Sequence, residues 1–205
     1  MATSKIQICQ RAFANTGNGL LVSLDDGSIE ATIVSNSYDA RVEAMLTQHA
    51  WKFARRVTEL TKLSDEPELP WIALWSAPLG MLSLSYVVDG DTGVRVDCEE
   101  RDLVSGKAIA VMADCDTLNA VHTYLVTADR FPGDFALALQ TYVEADALRS
   151  INEQIDQADR REKLAAGREQ KARTRDQRSS TATDANEWDL TAARDRRNQW
   201  RYARR

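Results

Sequence analysis

FPGDFALALQTYVEADALRSINEQI, residues 131–155, is the stretch on which the fold turns. Phe131-Pro132-Gly133-Asp134 ends the extended pattern ahead of it, because proline fixes φ and removes a backbone donor, and Asp134 suits the start of a helix. Phe135, Leu139, Tyr142, Val143, Leu148, Ile151 and Ile155 then form the apolar stripe of a long helix. A helical period that returns after strands makes those strands an insertion between helices that pack on one another.

Upstream of Phe131, from about residue 57, prolines 67, 70 and 78 punctuate short runs in which alternation replaces the helical period. WIALWS (71–76), MLSLSYVV (81–88), GVRVDC (93–98), KAIAVMA (107–113) and AVHTYLVT (120–127) read as strands of one small antiparallel sheet. Asp89-Gly90-Asp91-Thr92-Gly93 supplies a hairpin turn. Further upstream, Ser4 caps a short helix to about Asn15, with Ile6, Cys9, Ala12 and Phe13 on one face. Asp25, Asp26 or Ser28 caps a second helix. Its stripe is Ile29, Ile33, Tyr38, Val42, Met45, Leu46 and His49, and it is expected to end near Trp51-Lys52-Phe53.

Downstream of Ile155 the large apolar residues almost vanish. Residues 157–178, QADRREKLAAGREQKARTRDQR, read as a solvated continuation of the long helix, weakened by Gly167. SSTATDAN (179–186) reads as a linker, and EWDLTAARDRRNQWRYARR (187–205) regains large aromatics. The expected class is α+β, mainly α: a helical bundle with an inserted small antiparallel β-sheet and an extended C-terminal arm. Its parts are residues 1–56 (two helices), 57–130 (the sheet), 131–178 (the long helix and its polar extension) and 179–205 (linker and arm).

The 205 residues are 43% hydrophobic, enough for a core, and hold no apolar run of membrane-spanning length. The first residues, MATSKIQICQRAF, lack a signal-peptide pattern, and three widely spaced cysteines argue against a disulfide framework. A cytoplasmic site of synthesis is therefore expected. The net charge of -5 is uneven. Residues 1–155 carry 12 Lys/Arg against 22 Asp/Glu, whereas residues 156–205 carry 14 against 9. An acidic body with a basic extension separates a folded unit from an interaction segment.

No motif for chemistry emerges. His49 and His122 lie singly on apolar faces and read as core or interface residues. Cys98 and Cys115 lack zinc-site spacing, and Asp89-Gly90-Asp91 and Asp114-Cys115-Asp116 lack the alternating ligands and terminal Glu of a calcium loop. No phosphate loop, dinucleotide fingerprint or nucleophile elbow is present. The expectation is a protein that is not an enzyme, without cofactor or metal. The arm instead carries Trp188, Leu190, Arg194, Arg196, Arg197, Trp200, Arg201 and Tyr202, residue types enriched at interface hot spots, so these are the candidate partner-binding residues. Arginine interleaved with aromatics also suits nucleic acid. A nucleic-acid-binding accessory protein acting through this arm is the alternative reading.

Taken in order, the opening helix, Ser23-Leu24-Asp25-Asp26-Gly27-Ser28, Tyr38 to Val42, Met45-Leu46, His49-Ala50-Trp51-Lys52-Phe53-Ala54, Trp71 through Ala77-Pro78-Leu79 to Leu84, and Tyr124 through Phe135 resemble the head-to-tail adaptor family of short-tailed bacteriophages, the tail tubular protein A-like connectors. The resemblance spans roughly residues 5–155, and the arginine-rich arm departs from it. It implies a structural virion protein at the head–tail junction, assembled in the host cytoplasm, that forms a dodecameric ring under the portal protein. It further implies contacts with tail or tail-terminator proteins, and a channel through which DNA passes without specific binding. Related adaptors use a C-terminal extension to grip the portal, which matches the arm.

Overall fold

The computed structural model describes residues 3–19, 21–64, 71–102 and 109–178. Helix α1 (Lys5–Asn15) begins with a capping box in which the Ser4 hydroxyl accepts from the Gln7 amide and the Gln7 side chain accepts from the Ser4 N–H. Helix α2 (Ile29–Gln48) is capped by Ser28, whose hydroxyl accepts from the Ala31 N–H. Tyr38, Val42, Met45 and Leu46 are buried as expected, but Ile29 is 76% exposed and Val34 takes the inward position. α2 stops at Gln48, short of Trp51–Phe53, because the chain turns to drive Trp51 into the core. There its indole N–H donates to the Met45 carbonyl at 2.8 Å and its ring meets Phe135 edge-on at 5.0 Å.

The strands are β1 (Arg55–Glu59), β2 (Thr61–Lys62), β3 (Ala73–Ser76), β4 (Met81–Asp89), β5 (Arg95–Val96), β6 (Glu99–Asp102), β7 (Ile109–Ala113) and β8 (Leu118–Tyr124). Among the described residues, the single sheet expected from sequence is two antiparallel four-stranded sheets, ordered β1-β8-β4-β5 and β2-β3-β7-β6. The reason is burial. Val87, Leu118 and Ala120 from the first sheet share one core with Ala73, Trp75, Val111 and Ala113 from the second, and one sheet alone would leave such a face wet. The chain crosses between sheets at buried Leu60, which separates β1 from β2. Both of these edge strands escaped the sequence reading because RRVTE and TK are mostly polar and exposed. The turn at Asp89–Gly93 forms as expected, with the Asp89 carboxylate accepting from the Asp91 N–H and the Thr92 hydroxyl, and Gly93 at φ 68°.

The long helix expected across 131–178 is also corrected, to two helices: α3 (Gly133–Ser150) and α4 (Ile155–Arg178). Between them Glu153 takes φ 55° and the Gln154 N–H returns to the Leu148 carbonyl. Residues 156–178 are therefore not a solvated extension. α4 runs back antiparallel along α3, pairing Arg149 with Asp159 and Glu162, Tyr142 with Glu169, and Arg175 with Asp134. Ala158, Ala165 and Ala172 are its buried residues together with Glu169, while Ile155, assigned to the apolar stripe, is 62% exposed. α3 packs against α1, α2 and α4, and a continuous core joins them to Trp51, Ala54, Val126 and Ala128 at the roots of the sheets. The fold is α+β.

The seam between α3 and α4 tolerates no bulk, whereas a Cβ at Gly167 on the exposed side meets nothing within 4 Å. Ala165→Leu is expected to lower unfolding stability by about 1–3 kcal/mol through overpacking. Gly167→Ala should raise it by about 1 kcal/mol through helix propensity. Urea unfolding followed by circular dichroism reads both, and an unchanged Ala165→Leu midpoint would contradict the close helix contact.

Candidate functional site

The densest set of ionisable groups lies where α2, α3 and α4 meet. Asp146 accepts from Arg41 Nε at 2.8 Å, Arg41 Nη2 at 2.7 Å and the Ser37 hydroxyl at 2.6 Å. Glu162 takes Arg149 at 2.8 Å and Arg41 at 3.3 Å, and Arg149's hydrogen bond holds its carboxyl below the usual range. Arg41 also lies 4.8 Å from the centroid of Tyr142. The Tyr142 hydroxyl donates to Glu169, and burial, with that carboxylate beside it, pushes the phenol up to about 12. Glu144, only 2% exposed, accepts from Asn15 and Gln140 and lies 3.5 Å from Arg161. These groups saturate one another, so their chemistry is to fix helix register rather than to exchange protons with a substrate.

The other singled-out residues have structural partners. His49 joins the end of α2 to α4 through Asp176 at 3.3 Å and stacks edge-on with Trp51 at 4.7 Å. His122 is buried on β8 with Nε2 3.1 Å from the Thr58 hydroxyl, and burial lowers its pKa. All three cysteines are free thiols. Burial pushes Cys9 up to about 12 and raises Cys98 and Cys115, which keeps all three away from the reactive thiolate. Asp114 anchors β3 by accepting from the Ile72 N–H. Among the described residues no group of three His, Cys, Asp or Glu side chains is arranged to hold a metal ion.

What remains open is a surface. A groove of about 590 Å³ runs between α3 and the last turns of α4, with Leu137, Arg168, Lys171, Arg175 and Arg178 on its walls. Arg175 touches Asp134 but leaves 78% of its side chain in solvent, and Leu137 is 44% exposed. The basic part of the chain therefore begins as an ordered helix face. At Arg178 it continues into the segment that holds Trp188, Leu190, Arg194, Arg196, Arg197, Trp200, Arg201 and Tyr202, all of which lie outside the described residues. No protein-family model matches the chain, and no curated protein matches it. No helix among the described residues is long and apolar enough to cross a membrane.

The groove was legible only in part. Arg168, Lys171, Arg175 and Arg178 stood out as charge, but the fold-back of α4 that sets Leu137 beside them is marked only by the seven-residue spacing of Ala158, Ala165 and Ala172. Physically the groove offers guanidinium and ammonium groups around a small apolar floor, a match for acidic side chains carried on an apolar ridge.

Two measurements test the assignment of these groups to structure. Glu162 has a depressed folded pKa, so its stabilisation is complete above the ordinary carboxylate range and is lost as pH falls through the lowered value. Glu162→Gln is therefore expected to flatten the acid limb of a melting-temperature profile while lowering stability near neutrality. In thiol labelling, native Cys9 should stay unmodified at neutral pH and react only after unfolding, with labelled sites assigned by peptide mass mapping. Rapid native labelling at Cys9 would contradict its burial.

Proposed function

We propose that the chain is a non-catalytic structural virion protein of a tailed bacteriophage. In this reading it is a head-to-tail adaptor that joins the portal to the tail as a dodecameric ring and continues the DNA channel. The observation that carries the reading is the order of parts. Helices α1 and α2 pack with α3 across an intervening β insertion, the helix–sheet–helix order on which the resemblance to adaptors rests. α1 to α4 then stand for the adaptor's helical bundle, the sheets for its contact module, and residues 179–205 for its C-terminal arm.

The basic end of α4 supports the same reading. Arg168, Lys171, Arg175 and Arg178 would extend the arm's charge onto an ordered helix, giving the portal a continuous docking strip. In the arm, Trp188 and Leu190 would dock first, with Trp200 and Tyr202 behind them and the arginines meeting acidic portal surface. The net charge of -10 over residues 1–155, from 12 basic and 22 acidic groups, suits a channel wall that passes DNA without holding it. Tail or tail-terminator proteins would dock on the opposite side of the ring. The place of action is the head–tail junction of the virion, after assembly in the host cytoplasm.

The arm's arginine and aromatic content keeps nucleic-acid binding as the second reading. Deleting residues 179–205 separates the two. The adaptor reading expects the truncated body to fold and to lose capture by portal rings, with Lys171→Glu/Arg178→Glu in the full chain weakening capture by about tenfold through lost charge pairing. Salt-sensitive binding of the arm to DNA, with portal capture unaffected by the deletion, would favour the second reading. A strictly monomeric subunit in assembled particles, seen by electron microscopy, would sink the first.

A further inference from the structure

The first sheet carries a second cationic surface, remote in sequence from the arm. Arg55 on β1 and Arg95 on β5 place their guanidiniums 5.3 and 4.9 Å from the ring centroid of Tyr86 on β4. The ladder register puts Arg55, Val57, Val121, Tyr86 and Arg95 on one face, opposite the face that meets the second sheet. On the opposite face of β1, where β1 and β8 approach the helices, Arg56 lies 4.1 Å from the Tyr124 centroid and Arg130 donates to the Tyr124 hydroxyl at 2.8 Å. All four arginines are exposed, and none has a carboxylate partner among the described residues. Val57, beside Arg55, is 61% exposed on β1, whose outer edge pairs with no described strand.

Four uncompensated arginines are a third of the 12 basic residues in a part of the chain that holds 22 acidic ones. Each is already placed on an aromatic ring or hydroxyl, which reduces the side-chain entropy lost when an anion arrives. The stacking also decides the kind of anion. Guanidiniums occupy faces of Tyr86 and Tyr124, so the nitrogen edges, rather than bare rings for base stacking, are on offer. The acidic body around them also repels a phosphate backbone, whereas a protein carboxylate on a folded partner brings its own local complement.

The same two-sheet module supplies such carboxylates at its turn end. Asp89 and Asp91 in one turn and Asp114 and Asp116 in the next are joined by the Gly90 N–H to Thr117 carbonyl bond; Lys62 lies 3.8 Å from Asp116, which leaves 96% of its side chain in solvent. Asp91 is exposed. Arg95, opposite Val88, stands beside Asp89 in the β4–β5 ladder, but Asp89 alternates onto the face of inward Val87, and among the described residues no ion pair joins these acids to Arg55 or Arg95. We propose that the Arg55–Tyr86–Arg95 face docks the acidic turn end of the sheet module of a second copy of this chain. The contact is heterologous, joining different surfaces of the two copies, the kind that rotation closes into a ring. Taking a second copy as the occupant rests on the ring reading above.

The test uses the full-length protein and three charge-reversed forms: Arg55→Glu/Arg95→Glu, Asp91→Lys/Asp116→Lys, and the four changes combined. Sedimentation velocity across a concentration and salt series reads association, and circular dichroism confirms folding. Each double variant is expected to associate about tenfold more weakly than the parent, and the combined form, or an equimolar mixture of the two doubles, to recover it. Should the arginine variant fail to fold, the acidic-end variant alone still reports on the contact. Association unchanged by either reversal overturns the surface but leaves the ring reading standing. A parent chain that never self-associates, alone or on portal rings, overturns both. Loss of binding to a labelled DNA oligonucleotide in Arg55→Glu/Arg95→Glu, with self-association intact, overturns the proposal in favour of nucleic acid.

Discussion

The close approach of α4 to α3 is the constraint on which the rest depends. Ala158, Ala165 and Ala172, at seven-residue intervals, are the apolar residues α4 buries, so its apolar contribution to the seam is methyl groups alone. The apolar area buried by three alanines is small, which throws much of the burden of holding α4 onto polar contacts along its flanks. Those contacts are numerous and satisfied. Arg149, Glu162 and Arg41 fix one end, Tyr142, Glu169 and Arg173 the middle, and Arg175 with Asp134 the other end. Because α3 is also the helix against which α1 and α2 pack, the register of this hairpin sets the register of the whole helical layer.

A partly buried network of this kind is a poor source of net stability and a good source of uniqueness. Desolvating Asp146 and Glu144 costs free energy that the arginine and amide contacts largely offset. Sliding α4 by one turn would keep the alanines near α3 but part Arg149 from Asp159 and Glu162, and Tyr142 from Glu169. The helix hairpin therefore has one good alignment, even though its apolar surface alone would accept several.

That same chemistry explains what could be read in advance. Ser4, Ser28, the Asp89–Gly93 turn and the stripe Phe135, Leu139, Tyr142, Val143 act through local rules of capping, turn geometry and periodicity, and each stands where the sequence placed it. The α3–α4 hairpin was invisible because its seam is written in alanine, which hydropathy treats as nearly neutral; the heptad spacing of Ala158, Ala165 and Ala172 was the available signal. The split into two sheets was equally hidden. Alternation in WIALWS and MLSLSYVV shows that a face is buried, not what buries it. The arginine face on β1, β4 and β5 depends on cross-strand register, which no single strand encodes.

How the sheet module is attached bears on what any contact made there can do. It leaves the helices directly after buried Ala54 and rejoins them at buried Val126 and Ala128, so both of its roots are set in the helical core. Between them the aromatic cluster of Trp51, Phe53, Phe131 and Phe135 packs with centroid separations of 4.7 to 6.0 Å, closing the base of the insertion. An insertion held by one strand could swivel; one clamped at both roots by interlocked rings has its orientation set by the helices. A load on Arg55, two residues beyond Phe53, would therefore pass into the aromatic cluster through two peptide units, and from Phe135 into α3. The helix that fixes the register of the layer is thus also the element that would receive force from the sheets, so stiffness in the α3–α4 seam and precision at the sheet surface are a single mechanical property.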